Sequence, residues 1–186
     1  VLEQVPDLDA VLVPVGGGGL VSGIAAAVKA LRPSAKIIGV ETEVLPSMLA
    51  SLEEQRLVTI EPASTLADGI AVKRPGEITF AHVQKLVDEI VTVSEEEIAS
   101  AILYLLEKEK AVAEGAGAVS VAALMNHRVD GLAGQRVVEV EQQPVAAQLA
   151  HHAGIARLAV GRRELHHVAD VVRLVGIAEY LKTLQD

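Results

Sequence analysis

The chain has 186 residues, of which 51% are hydrophobic but only 2% are aromatic, so its core has to be mainly aliphatic. A formal net charge of -9 argues against nucleic acid or an anionic membrane as the main partner, because both are negatively charged. The sequence contains no cysteine, which excludes disulfide bonds and thiolate metal sites, and no apolar run approaches the ~20 residues of a membrane-spanning helix.

Segments rich in valine and isoleucine alternate with segments of helical pattern from residue 9 to residue 140. This alternation predicts an α/β fold with three layers, αβα, and a mainly parallel sheet. The polar segment at residues 56–67 is expected to be a surface connection. Strands are predicted at residues 9–15, 36–41, 89–93 and 136–140, and helices at residues 20–31, 46–54, 76–87, 95–110 and 117–127.

The first predicted strand runs directly into four consecutive glycines, Gly16–Gly19, and a helical pattern follows at once. Without side chains, these residues leave a row of backbone N–H groups that a ligand can approach closely. The positive end of the following helix dipole lies at the same place, so the pattern favours a phosphate ligand. A flexible turn is the alternative, but each glycine beyond the one or two that a turn needs costs backbone entropy.

Two common nucleotide-binding loops fit this segment poorly. A P-loop requires Gly-Lys-Ser/Thr at the point where Leu20-Val21-Ser22 follows the glycines. A dinucleotide fingerprint can be aligned with Gly16 and Gly18, and Glu41 ends the next predicted strand, but Val21 then stands at the third glycine. A nucleotide-binding Rossmann domain therefore remains only a weaker alternative.

The acidic run that follows the third predicted strand has a structural interpretation. Ser94-Glu95-Glu96-Glu97 is the pattern of a capping box, with Ser94 as the N-cap and Glu97 at the third helical position. Carboxylates also favour a helix N-terminus electrostatically. We therefore do not interpret Glu95–Glu97 as a metal or catalytic site.

The segment Pro14–Ile24 closely resembles the phosphate-binding loop of pyridoxal-phosphate enzymes of the tryptophan synthase β-like group (fold type II). Within that group it is similar to threonine dehydratase (threonine ammonia-lyase) and to serine racemase. The resemblance covers about residues 1–138 and is specific, because five ordered motifs rarely coincide by chance. The four other motifs, in the dehydratase order and spacing, are Ile38–Glu41, Thr65–Gly76, Ile90–Ile98 and Ala113–Ala118.

The resemblance implies pyridoxal 5'-phosphate as cofactor, with its phosphate bound at Gly16, Gly17, Gly18, Gly19 and Leu20. It further implies that Gly69 borders the cofactor and that Glu114 lies near the cofactor ring, where it is a possible catalytic residue. From the residues alone, the segment Glu114–Ala118 fits a helix entry and a ligand contact equally well.

Glu41 corresponds to a carboxylate that helps bind a monovalent or divalent cation in some relatives. The partners expected for that cation are weak here, because Leu45 and Ser47 stand where serine racemase offers a carbonyl and an aspartate. A plain carboxylate at a strand end is therefore the alternative interpretation of Glu41.

The implied activity is dehydration and deamination of L-threonine or L-serine to a 2-oxo acid and ammonia, in threonine catabolism or isoleucine biosynthesis. A serine or threonine racemase is one alternative, and a non-catalytic phosphate- or cofactor-binding remnant is the other. The expected partner is a small amino-acid substrate rather than nucleic acid or a membrane. A cytoplasmic location is expected, with a homo-oligomer or association with a missing N-terminal segment.

Two features depart from the family pattern. The family's Schiff-base lysine lies N-terminal to the glycine loop, and none of Lys29, Lys36, Lys73 and Lys85 has its Ser-Phe-Lys context, so no catalytic residue is certain. After Val138 the family's Ser-Gly-Gly-Asn is also missing. We therefore expect residues 1–140 to be part of a catalytic domain and the chain to be a fragment that is inactive alone.

The remaining residues, 141–186, are expected to form a divergent and mostly helical tail, from either a shifted reading frame or genuine divergence. They contain two adjacent histidine pairs, His151-His152 and His166-His167. Adjacent side chains point apart in a helix or a strand, so we do not interpret these pairs as metal ligands.

Overall fold

Strands and helices alternate along the chain in the computed structural model, which describes residues 2–3 and 5–140 and the backbone of residues 172–173. A 3₁₀ turn at Asp68–Ile70 and a π-helical turn at Leu105–Glu109 complete the elements of this part. The strands are β1 (Ala10–Pro14), β2 (Lys36–Thr42), β3 (Glu89–Val93), β4 (Val137–Glu139) and β5 (Val172–Arg173). The helices are α1 (Gly19–Leu31), α2 (Ser47–Glu53), α3 (Glu77–Leu86), α4 (Glu95–Tyr104) and α5 (Gly115–Met125).

The five strands form one sheet in the order β3-β2-β1-β4-β5, and every neighbouring pair is parallel. Strand β1 lies at the centre, with Ala10 opposite Lys36 of β2 and Val137 of β4. All five residues of β1 are buried, which explains why its sequence is continuously apolar rather than alternating. The predicted parallel sheet is confirmed.

The two faces of the sheet are covered by different helices. Alternate residues of β1 contribute to different cores, because successive side chains in a strand point to opposite faces. Ala10 and Leu12 join the core that includes α4 and α5, whereas Val11 and Val13 join the core that includes α1 and Val83 of α3. The three-layer αβα architecture is therefore confirmed.

Two predicted helices differ from the structure by more than one residue at an end. The helix predicted at residues 95–110 is α-helical only as far as Tyr104, because a wider π-helical turn follows and Lys110 (φ 58°) then enters the left-handed region. The N–H of Ala111 closes this turn on the carbonyl of Leu105 at 3.0 Å. Helix α5 begins at Gly115 rather than at residue 117, because the extended Glu114 is its N-cap.

The predicted capping box is present at the start of α4. Ser94 Oγ accepts from the N–H of Glu97 at 3.3 Å, and the N–H of Ser94 donates to Glu97 Oε2 at 2.9 Å. Residues 56–67 contain no helix or strand and are mostly exposed, as predicted for a surface connection. Within the described residues, no helix is long and apolar enough to cross a membrane.

The expectations for residues 141–186 lie outside the described residues, apart from the backbone of Val172 and Arg173. Those two residues form β5 beside β4, which is strand within a segment expected to be mostly helical. The histidine pairs of this segment are likewise outside the described part. The division of the chain at residue 140 stays a prediction.

Candidate functional site

The tetraglycine segment leaves the sheet at the carboxyl end of its central strand. The N–H of Val15 still donates to the carbonyl of Val40 at 2.9 Å, and the loop of Gly16, Gly17 and Gly18 then leads directly into α1. In open parallel sheets, ligands bind beyond the carboxyl ends of the strands. The predicted phosphate-binding loop therefore lies at the edge of the sheet where a ligand is expected.

Six consecutive backbone donors in this segment have no protein acceptor among the described residues. They are the N–H groups of residues 16–21, and the next N–H, that of Ser22, donates to the carbonyl of Gly18 at 3.0 Å. Four of the six, those of residues 18–21, are the unsatisfied N–H groups with which any α-helix begins. Together with the helix dipole, they make this loop suited to an anion.

At two of the four glycine positions, the surrounding protein leaves no room for a side chain. Gly18 has a φ of 89°, and a Cβ there would lie 2.5 Å from Met48 Cε and 2.9 Å from Thr79 Cβ. A Cβ at Gly16 would lie 3.0 Å from the Cα of Ile70. Neither position accepts a side chain without movement of its neighbours, so the loop is packed on its inner side.

The other two glycines face open space. A Cβ at Gly17 or at Gly19 would meet no atom of the described residues within 4 Å, and neither residue has a positive φ. Their missing side chains are therefore not explained by the packing or by the backbone conformation. What they leave is room beside the unpaired N–H groups, as a bound ligand requires.

The first turn of α3 holds the glycine loop in place. Thr79 Oγ1 donates to the carbonyl of Gly17 at 2.5 Å, and the N–H of Gly76 donates to the same carbonyl at 3.3 Å. Ser22 Oγ in turn donates to the carbonyl of Thr79 at 3.3 Å. Sequence reasoning did not identify Thr79, because a single threonine on a predicted helix carries no motif.

The turn that contains Gly69 forms a wall beside the glycine loop. Ile70, at the end of this turn, is the residue that crowds the Cβ position of Gly16, and Gly69 itself is exposed. The structure therefore brings the turn and the loop together. It does not place a ligand against Gly69, whose role stays a prediction.

Glu114 precedes a helix that packs directly against the approach to this turn. A Cβ on the next residue, Gly115, would overlap the carbonyl oxygen of Leu66, so only glycine fits there. Glu114 is half-buried and its side chain makes no capping hydrogen bond. Glu114 thus directly precedes the residue that packs against the segment leading to Gly69, and its catalytic role stays a prediction.

Glu41 is engaged by the protein rather than free. Its side chain is on β2 and 1% exposed, and its two oxygens accept the N–H groups of Met48 at 2.9 Å and Leu49 at 2.8 Å. Burial raises its pKa to about 7, against the lowering effect of these two hydrogen bonds. Glu41 therefore caps α2, and a cation at this carboxylate stays a prediction.

None of the lysines considered above is buried. Lys29 forms an ion pair with Asp88 at 2.7 Å, and Asp88 directly precedes β3, at the amino end of the strands. Lys36, Lys73 and Lys85 are exposed. Within the part of the chain that the structure describes, no three His, Asp or Glu side chains form a group that could hold a metal ion.

Residues 1–142 match the model of a protein family described as "Pyridoxal-phosphate dependent enzyme". The L-threonine ammonia-lyase of Thermotoga maritima is 60% identical over 126 residues, which are 68% of this chain and 31% of that protein. The chain therefore spans about a third of the length of this relative. The resemblance found in the five sequence motifs is confirmed.

Two solved structures have similar folds. Threonine deaminase isoform 2 from Solanum lycopersicum superposes with a TM-score of 0.69 and 34% identity, over 84% of this chain and 47% of that one. Serine racemase from Dictyostelium discoideum also gives a TM-score of 0.69, with 30% identity over 77% of this chain and 46% of that one. The parallel sheet with helices on both faces is thus shared with these proteins.

Proposed function

Because the chain belongs to the family of pyridoxal-phosphate dependent enzymes, we propose that residues 16–20 bind the phosphate group of pyridoxal 5'-phosphate. One observation carries the proposal: within the described part of the chain, consecutive N–H groups without an acceptor line a loop at the N-terminus of α1, with open space beside Gly17 and Gly19. A phosphate has several acceptor oxygens and a negative charge, so it fits both the donors and the dipole.

The residues around the loop have complementary roles in this proposal. When bound, pyridoxal phosphate supplies an electron-withdrawing ring that stabilises negative charge at the substrate Cα. The turn at Asp68–Ile70 borders the ring at Gly69 and excludes water from one side. Glu114, whose carboxylate makes no capping hydrogen bond, holds or accepts a proton beside it.

The reaction that the relatives support is dehydration and deamination of L-threonine or L-serine to a 2-oxo acid and ammonia. The relative with 60% identity is named an L-threonine ammonia-lyase, and a threonine deaminase has a similar fold. Since the chain spans only part of these proteins, the activity of the whole protein rests on this likeness. The enzyme class is accordingly a lyase.

A serine or threonine racemase is the second candidate. The structure of a serine racemase superposes as well as that of a threonine deaminase, with the same TM-score of 0.69. The two activities are separated by their products. A lyase releases a 2-oxo acid and ammonia from its substrate, whereas a racemase converts L-serine into D-serine.

The binding proposal is tested by comparing three ligands: pyridoxal 5'-phosphate, pyridoxal and inorganic phosphate. We expect pyridoxal, which lacks the phosphate, to bind at least about tenfold more weakly than pyridoxal 5'-phosphate. Inorganic phosphate should compete with pyridoxal 5'-phosphate. Equal affinities for the two pyridoxal compounds, or no competition, would contradict a phosphate site at the glycine loop.

Turnover distinguishes the enzymatic proposals from a non-catalytic module. Release of a 2-oxo acid from L-threonine supports the lyase, and D-serine formed from L-serine supports the racemase. Binding of pyridoxal phosphate without either product is expected both of a binding remnant and of a fragment that is inactive alone. These assays do not test four other points, which remain predictions: a cation at Glu41, a cytoplasmic location, a role in isoleucine biosynthesis and self-association.

A further inference from the structure

Glu95 connects the start of α4 with the segment that leads to the Gly69 turn. Its Oε1 accepts the hydroxyl of Thr65 at 2.6 Å, and its Oε2 accepts the N–H of Leu66 at 2.7 Å. Both bonds are short and have a carboxylate as acceptor, so they belong to the stronger class of hydrogen bonds. Glu95 thus binds a side chain 30 residues away and a backbone group 29 residues away in sequence.

Thr65 transmits this anchoring to the turn. Its Oγ1 also accepts the N–H of Ala67 at 3.0 Å, and the carbonyl of Ala67 accepts the N–H of Ile70 at 3.0 Å. The turn at Asp68–Ile70 therefore begins at a residue whose position depends on Thr65. Ile70 at its far end packs against Gly16 of the glycine loop.

The adjacent carboxylates do not share this role. Glu97 completes the capping box and pairs with Arg128, and Glu96 accepts from Ser94 Oγ while fully exposed at its carboxylate. If the acidic run acted only through the helix dipole, Glu95 and Glu96 would be equivalent. The different partners separate Glu95 from its neighbour.

We infer that Glu95 is a positioning residue, which holds the Gly69 turn against the glycine loop and thereby shapes the phosphate site. The inference rests on the proposed function for its effect on the ligand. The anchoring of the turn itself depends only on the hydrogen bonds of Glu95 with Thr65 and Leu66. Glu95 does not touch the glycine loop and acts on it only through residues 65–70.

The test measures amide hydrogen exchange and the binding of inorganic phosphate in the full 186-residue chain. In Glu95→Ala and Glu95→Gln, we expect the amides of Leu66, Ala67 and Ile70 to exchange about tenfold or more faster than in the wild type. Phosphate affinity should fall several-fold. Glu96→Gln, on the same helical turn, is the matched control and should change neither quantity.

Thr65 provides a second and milder pair of variants. Thr65→Val removes the hydroxyl without changing the shape of the side chain, and should reproduce the faster exchange. Thr65→Ser retains the hydroxyl and should restore slow exchange and phosphate affinity. Thr65 lies in a surface segment, so its substitution should disturb folding little. The Thr65 variants therefore test the same hydrogen bonds even if a Glu95 variant folds poorly.

Two results would overturn the inference. One is unchanged exchange at Leu66, Ala67 and Ile70 in both Glu95→Gln and Thr65→Val. The other is faster exchange there with phosphate affinity equal to that of the wild type. A wild-type chain that binds no phosphate contradicts the proposed function instead, and exchange then still decides whether Glu95 holds the turn.

Discussion

Alanine substitutions along the glycine loop should separate folding from ligand binding. Gly18 combines a φ of 89° with a Cβ position 2.5 Å from Met48 Cε. The left-handed conformation costs an L-residue roughly 1–2 kcal/mol. Crowding in a packed region adds roughly 1–3 kcal/mol. We therefore expect Gly18→Ala to lower the free energy of unfolding by roughly 2–5 kcal/mol.

Gly17→Ala should have the opposite profile. A Cβ at Gly17 lies within 4 Å of no atom in the part of the chain that the structure describes, so the free energy of unfolding should stay within ~0.5 kcal/mol of the wild-type value. The added methyl group occupies the space that we assign to the phosphate. Affinity for inorganic phosphate should therefore fall at least about tenfold, or about 1.4 kcal/mol of binding free energy.

Gly23→Ala is the matched control within α1. A Cβ there also meets none of the described atoms within 4 Å, and an interior helical alanine is more favourable than glycine by roughly 0.5–1 kcal/mol. The assays are urea unfolding and calorimetric titration with phosphate. Unchanged phosphate affinity in Gly17→Ala, or wild-type stability in Gly18→Ala, would refute the assignment of inner and outer glycines.

Three further predictions concern the surroundings of the loop. The folded-state pKa of Glu41 (about 7, against an ordinary 4.5) means that its stabilising contribution is fully present below about pH 4.5 and is lost as the pH rises towards 7. In Glu41→Gln, the free energy of unfolding should no longer fall by this contribution, roughly 3 kcal/mol, between pH 4.5 and 7. Urea unfolding across that pH range measures it, and the same pH dependence in the variant and the wild type would contradict the raised pKa of Glu41. Gly115→Ala places a Cβ that overlaps the Leu66 carbonyl, so it should lower the free energy of unfolding by roughly 1–3 kcal/mol and weaken phosphate binding. No change in either quantity would contradict the close approach of Gly115 to Leu66. Ser94→Ala removes the capping box and should lower the free energy of unfolding by about 1 kcal/mol in urea. Ser100→Ala, on the exposed face of α4, is the control and should lower it less. Equal losses in the two variants would argue against a stabilising role of the Ser94 cap.

The sequence predicted those parts of the fold that depend on local patterns. Buried parallel strands such as Ala10–Pro14 are continuously apolar, and Ser94 with Glu97 has the spacing of a capping box. The position of the glycine loop between a strand and a helix was predicted for the same reason, and its phosphate ligand stays a prediction. Each of these features is encoded within a few consecutive residues.

The parts that sequence reasoning missed depend on contacts between distant segments. Thr79 supports Gly17 across 62 residues, and Glu95 anchors Thr65 across 30 residues. A single polar residue on a helix gives no indication of such a partner. Glu95 was interpreted only as a carboxylate favoured at a helix start, which is correct for its position but omits its hydrogen bonds. Likewise, the hydrogen bonds of Glu41 to α2 have no signature in sequence.

The central claim is that a phosphate binds at the start of α1, and titration of the backbone amides with inorganic phosphate tests it most directly. Resonances of the labelled chain should be followed by nuclear magnetic resonance, with pyridoxal 5'-phosphate as the second ligand. We predict that the largest shifts for both ligands occur at the N–H groups of residues 16–21, which have no acceptor among the described residues. Largest shifts elsewhere, or none at saturating phosphate, would contradict the account.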